Sequence, residues 1–171
     1  EDNKGALWFG TYDGGVFRIA PKNSPQEASP ANQNFKLDIL SRKVSAFDQS
    51  NGFNAKTIWK IFNTSGNELW FASVEDGIIR YRTITTAGDS SLNIFEKFTD
   101  KEGLPGNQML CVYEDKEKNI WIGTNGGGLC KFMGDVFSHF SEKDGLPGNS
   151  VQGIDMDSLG NIWFGTSGGG L

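Results

Sequence analysis

Apolar residues fall in short runs broken by Gly, Asn and Asp, and no stretch keeps a helical period. One run recurs four times, each copy centred on Trp: Leu7–Thr11, Leu69–Ser73, Ile120–Thr124 and Ile162–Thr166. It is apolar on successive residues, the pattern of a strand buried on both faces. Before it lie Gln108–Asp115 and Ser150–Asp157, which read as a preceding strand. After it, opened by a Gly, come Gly15–Ile19, Gly77–Tyr81 and Gly128–Phe132. Val136–Ser141 then alternates as a sheet strand does. Each unit therefore reads as four short strands, A to D, with the Trp on B. Asp157-Ser158-Leu159-Gly160-Asn161 closes an A–B hairpin. Asn125-Gly126-Gly127 and Tyr12-Asp13-Gly14 close B–C hairpins, where positive φ favours Gly, Asn and Asp.

A second block punctuates the units. Gly103-Leu104-Pro105-Gly106-Asn107 returns as Gly145-Leu146-Pro147-Gly148-Asn149, with a degenerate copy at Gly52-Phe53-Asn54-Ala55-Lys56. From the first Gly of this block to the next motif Trp is 18 residues in all three copies. A Gly follows each Trp by seven (Gly15, Gly77, Gly128, Gly170), and a cation follows three of them by ten (Arg18, Arg80, Lys131). Length variation is confined to the C–D connection, and the minimal unit is the 42 residues from Trp121 to Trp163.

A four-stranded unit of this length with one buried Trp is the signature of a β-propeller blade. The expected fold is all-β, a partial propeller: strands B to D of one blade over 1–51, full blades over 52–102 and 103–144, and strands A and B of another over 145–171. Rings close with about four to eight blades. The chain is thus expected to be a piece of a longer protein, or to complete a ring with further copies. Exposed blade faces and an unpaired edge make self-association the expectation.

Charge removes several function classes. With 16 Lys and Arg against 21 Asp and Glu, net −5, and no basic tract, a nucleic-acid partner is not expected. No apolar run reaches the length of a membrane span, so no direct insertion is expected. Glu1 follows no Met or leader pattern and does not read as a natural translation start. Cys111 on strand A and Cys130 on strand C of one blade are separated by strand B, about 9–10 Å across two strand spacings. A disulfide needs Cα atoms within about 7 Å, so two free, buried thiols are expected.

The run Gly160-Asn161-Ile162-Trp163-Phe164-Gly165-Thr166, with its following glycines and the Gly-Leu-Pro-Gly-Asn block, resembles the two-component regulator propeller repeat. The resemblance covers the chain apart from the insertion around Pro21–Arg42. Units one and two depart from it at Ala72-Ser73 and Phe53-Asn54-Ala55. It implies the periplasmic sensor region of a hybrid two-component regulator of Bacteroidetes type, signalling to a membrane-linked histidine kinase whose activity lies outside these residues. It also implies an oligosaccharide ligand.

Candidate ligand groups follow from the topology. Strands alternate in direction, so the D–A loops and B–C turns open on one face, which gathers Asn107, Asn125, Asn149 and Ser167. Bare backbone at the glycines and these side chains suit an uncharged sugar; the competing reading is turn chemistry that every blade needs. The motif Trps can stack a sugar, but their apolar flanks favour core packing. Trp59 stands where other units carry Leu110 and Gln152, and is a candidate sugar platform, with packing as the alternative. Arg18, Arg80 and Lys131 form a repeated cation position, suited to an acidic ligand or to local ion pairs at a solvated edge. The insertion Ala20–Lys43, with alternation at Phe35–Ile39, opens on the other face. No catalytic residue, cofactor or metal is expected. His139 is the lone histidine with no nucleophile arranged beside it, and Asp155–Gly160 departs from calcium-loop spacing. A polysaccharide-acting enzyme and a protein-binding scaffold remain as alternatives.

Overall fold

The computed structural model describes residues 1–21, 42–85 and 91–170. The alternating segment at 35–39 lies outside the described residues. The chain is all-β, a segment of a β-propeller built from successive antiparallel sheets. The first sheet has β1 (Leu7–Gly10), β2 (Val16–Ile19) and β3 (Val44–Phe47). The second has β4 (Ile58–Asn63), β5 (Leu69–Ser73), β6 (Ile78–Thr85) and β7 (Ser91–Phe98). The third has β8 (Met109–Glu114), β9 (Ile120–Thr124), β10 (Leu129–Phe132) and β11 (Phe137–Phe140). The fourth has β12 (Val151–Met156) and β13 (Ile162–Thr166). Sequence neighbours are sheet neighbours throughout, and β4, β8 and β12 lie against one another in turn. The A strands are therefore the line along which the sheets converge.

The core lies between sheets. Trp70, Ile78, Val112, Ile122 and Phe132 pack together between the second and third. Trp8, Phe53, Phe71 and Ile79 do the same between the first and second. Aromatic rings carry much of this contact, for example Phe53 edge-on to Phe71 at 5.3 Å and Trp70 edge-on to Phe132 at 5.3 Å. The continuous apolar B strand is fully buried in β5, the most enclosed copy. In β1 and β13 the pattern is only partly buried: Phe9 is 47% and Trp163 51% exposed. Burial on both faces needs a sheet on both sides, and those two strands belong to the first and last sheets. Gly123 on β9 admits the next sheet, since a side chain there would strike Cys111 and Val151.

The repeated blocks have local physical causes. Each D strand ends in a single 3-10 turn, at Gln49–Asn51, Asp100–Glu102 and Glu142–Asp144. Asp48, Thr99 and Ser141 cap these turns, and Asn51, Glu102 and Asp144 reach back to the cap backbone. The first Gly of each block, Gly52, Gly103 or Gly145, is the left-handed C-cap. The A–B turns have a left-handed position too, held by Gly5 (φ 80°) and Gly160 (φ 95°) but by Lys118 (φ 69°) in the third sheet. A β-carbon there costs about 1–2 kcal/mol. Lys118→Gly should therefore stabilise the protein by about 1 kcal/mol in denaturant titration; no gain would mean that the Lys118 contacts offset the strain.

Cys111 and Cys130 are free and buried, as expected from their strand positions. Burial raises their thiol pKa values to about 11 and about 12. His139 is exposed and lies opposite Cys130, its Nδ1 3.3 Å from the Cys130 sulfur. Among the described residues no cluster of His, Cys, Asp or Glu is arranged to hold a metal ion.

Candidate functional site

The D–A loops and B–C turns meet along one rim. Gly77 N–H donates to the Asn107 carbonyl at 2.9 Å, and the Gly126 and Gly128 N–H groups donate to the Asn149 carbonyl at 3.1 and 2.7 Å. Asn125 N–H donates to the Gln108 carbonyl, and Ser167 N–H to that of Ser150. The glycine bonds thus tie the turn of one sheet to the loop that opens the next, and the other two hold each turn to the start of its own sheet. Asn107, Asn125, Asn149 and Ser167 all lie on this rim.

The three Asn side chains are engaged in holding the rim. Asn107 Oδ1 accepts from Asp100 N–H at 3.0 Å, and Asn149 Oδ1 accepts from Glu142 N–H at 2.9 Å. Both bonds close the 3-10 turn onto the end of its block, which accounts for the Asn in Gly-Leu-Pro-Gly-Asn. Asn125 Nδ2 donates to Gln108 Oε1 at 2.7 Å, and its Oδ1 accepts from Ser150 Oγ at 3.2 Å. Asn125 and Ser167 are exposed, whereas Asn107 and Asn149 are half-buried. A ligand on this rim would meet backbone and the exposed pair first. An open cleft of about 280 Å³ lies on the rim where the first and second sheets join, lined by Asp13, Gly14, Asp48, Ala55 and Lys56 among others.

Trp59 is 66% exposed in this chain. The cause is a β-bulge in strand A, where Ile58 pairs with Ser73 and Lys60 with Ala72, leaving Trp59 as the extra residue. The same bulge falls at Leu110 in β8 and at Gln152 in β12. Its position is structural, whereas the Trp is particular to the second sheet. Thr57 Oγ1, two residues before Trp59, donates to the carbonyl of Tyr12, which is itself 84% exposed. Two exposed aromatic side chains thus sit where the first and second sheets meet, near the cleft at Lys56.

The motif Trps form a brace that the spacing alone did not reveal. Six residues before Trp8, Trp121 and Trp163 stands an Asp whose Oδ2 accepts from the indole Nε1–H: Asp2 at 2.8 Å, Asp115 at 2.8 Å and Asp157 at 3.1 Å. The recurrent cation lies over the same ring: Arg18 at 5.8 Å from Trp8, Arg80 at 5.8 Å from Trp70 and Lys131 at 4.9 Å from Trp121. The cations are half-buried, each over its own Trp, and Arg18 also pairs with a local carboxylate, Asp2 at 3.9 Å. Arg80 is further held by Glu96 at 2.5 Å. Burial works to raise the Glu96 pKa, but hydrogen bonds from Arg80 and Arg82 outweigh it and hold the carboxyl below its usual range. The Trps themselves are core residues in two units, with Trp8 at 9% and Trp70 at 0% exposure. Trp121 is half-buried and Trp163 open.

A family model described as two component regulator propeller matches residues 103–126 and 145–168. Each match runs from the 3-10 cap glycine through strand A and the Trp strand to the B–C turn. Residues 103–126 and 145–168 thus match two-component regulator propeller repeats. The extracellular domain of BT3049 of B. thetaiotaomicron, described as a putative hybrid two component system, shares these propeller sheets at 25% identity. The TM-score is 0.69 over 96% of this chain and 19% of that one. The corresponding domain of BT4673 of the same organism shares the fold at 18% identity, with a TM-score of 0.62 over 98% of this chain and 22% of that one. The chain thus spans about a fifth of the length of these two solved structures. No curated protein sequence matches it significantly. Among the described residues no helix is long and apolar enough to cross a membrane.

Proposed function

We propose that this chain is part of the extracytoplasmic sensor region of a hybrid two-component regulator. In that role it binds an oligosaccharide and passes the event to a membrane-linked histidine kinase carried elsewhere on the parent protein. The observation that carries the reading is the repeat match together with structural likeness to the extracellular domain of BT3049 across almost the whole chain. The site chemistry is compatible with it: a rim of backbone amides with exposed Asn125 and Ser167, and Trp59 projecting from a bulge. The half-exposed Trp163 would be covered by further sheets of the parent protein or by a second copy. The location in this reading is periplasmic, and the segment itself has no catalytic role.

The test is to sequence the DNA on both sides of these codons and then assay the full-length product. Further Trp-centred repeats, a membrane span and kinase motifs, with autophosphorylation that responds to an oligosaccharide panel, are the expected result. A reading frame leading into a catalytic domain of another kind would overturn the proposal.

A further inference from the structure

The second unit breaks the Asp–Trp brace, and it breaks it at a cleft. Position for position, Thr64 stands where the other units have Asp2, Asp115 and Asp157. Its Oγ1 accepts from Glu68 N–H at 3.0 Å, as Asp115 Oδ1 accepts from Asn119 N–H at 2.8 Å. Thr64 therefore keeps the turn but has no second oxygen. Trp70, with no exposed surface at all, is left with an unpartnered Nε1–H. A buried donor without a partner costs about 1–3 kcal/mol, so the site favours anything that brings an acceptor.

A second substitution accompanies the first. In the third and fourth units an Asn two residues before the Trp donates Nδ2–H to the same Asp Oδ2, at 2.8 Å in both. In the second unit that position is Glu68. The acceptor has been removed, and the donor beside it has been replaced by an acceptor. The group that complements an indole N–H donor and a carboxylate acceptor is a hydroxyl, which can accept from one and donate to the other.

A cleft lies beside these groups. This cleft of about 470 Å³ between the second and third sheets is lined by Thr64, Glu68, Trp70, Arg80, Ile120 and Phe132 among others, a volume in the range of small-molecule sites. Its rim is tied across the two sheets: Ser65 N–H and Oγ donate to Glu114 at 2.7 and 3.1 Å, and Lys118 Nζ donates to Ser65 Oγ at 2.5 Å. The charges lining the cleft balance: Arg80 and Lys118 stand against Glu68 and Glu114, with Arg80 already held by Glu96 and Lys118 bonded to Ser65, so the lining suits an uncharged ligand.

We infer that this cleft is a binding site for an uncharged hydroxylated ligand of the sugar or polyol class, with one hydroxyl accepting from Trp70 Nε1–H and donating to Glu68. The inference deepens the sensor reading, on which it rests only for the choice of sugars as probes.

The experiment follows the indole N–H resonances of 15N-labelled protein during titration with glucose, galactose, mannose and xylose, with glucuronate as the charged comparison. The Trp70 signal, assigned through its contacts with Phe98 and Phe132, should shift saturably with at least one neutral sugar. The Trp121 signal, already bonded to Asp115, should stay in place. The double variant Thr64→Asp with Glu68→Asn rebuilds the closed arrangement of the third unit. It should melt at a higher temperature and bind the sugar at least about tenfold more weakly, the loss of roughly one buried hydrogen bond. A stationary Trp70 signal with all four sugars, equal affinity in the double variant, or equally tight glucuronate binding would each overturn the inference. Sugar-dependent shifts confined to the rim at Asn125 and Ser167 would also overturn it, while leaving the sensor reading standing.

Discussion

Gly77→Ala should lower stability by about 3 kcal/mol, a fall in melting temperature of about 6–12 °C for a chain of this length. Gly77 has φ 79°, and an added β-carbon would run into the Phe98 carbonyl oxygen and approach Thr99 Cα at 3.3 Å. The backbone term alone is about 1 kcal/mol. The remainder is steric, because the obstacle is backbone of the paired strand and cannot rotate away. Moving it would disturb the Ile78–Phe98 pairing and the bond from Gly77 N–H to Asn107. Gly52→Ala supplies the comparison. Gly52 has φ 89°, and a β-carbon there would meet nothing within 4 Å, so its substitution should cost only the backbone term of about 1 kcal/mol. Equal losses at the two glycines, measured by denaturant titration, would show that the turn yields and that this close approach does not constrain the sheet.

This glycine also shows why the architecture was open to reading from the chain. Gly77 and its counterparts Gly15 and Gly128 must lack a side chain for the same two reasons, so they recur seven residues after each Trp. The run around Trp70 is apolar on successive residues because sheets cover it on both sides. Repetition turns local sterics into a visible period. The candidate site was harder to read, because its residues do two jobs. Asn107 and Asn149 recur on the rim because they close 3-10 turns, and recurrence alone does not distinguish a turn closure from a ligand contact. The capping boxes Asp48–Asn51, Thr99–Glu102 and Ser141–Asp144 carried the signal for those turns, a polar cap followed three residues later by Asn or an acid, and it passed unread among other polar residues. Trp59 was visible as an exception to the repeat, but its exposure depends on a bulge that adds one residue without changing the pattern of types. The bond from Asp115 to Trp121 spans a hairpin and needs the A–B register to be known. The gap at Thr64 becomes meaningful only once that bond is known.

The Asp–Trp bond leads to the second large effect, which depends on pH. Asp115 is buried, and burial works to raise its pKa. Hydrogen bonds from Asn119 and Trp121, together with Lys131, outweigh that cost and hold the carboxyl below its usual range. Asp157, in the same role, is held down to about 2, chiefly by the hydrogen bond from Asn161. A carboxyl whose folded pKa lies below its unfolded value stabilises the fold fully above the unfolded pKa. That contribution is lost as pH falls through the folded one. Stability should therefore hold down to about pH 4 and then fall steeply towards about pH 2. Asp115→Thr copies the second unit, keeping an oxygen for Asn119 N–H and leaving Trp121 Nε1–H unpaired. It should cost about 2 kcal/mol at pH 7, or about 4–8 °C in melting temperature. Because Thr does not titrate, the variant should lose less on acidification than the parent, and the two stability curves should converge as pH falls below about 4. Parallel curves over that interval would mean that Asp115 keeps the same pKa folded and unfolded, and the brace would then owe its strength to packing of Lys131 on Trp121 in place of the carboxylate.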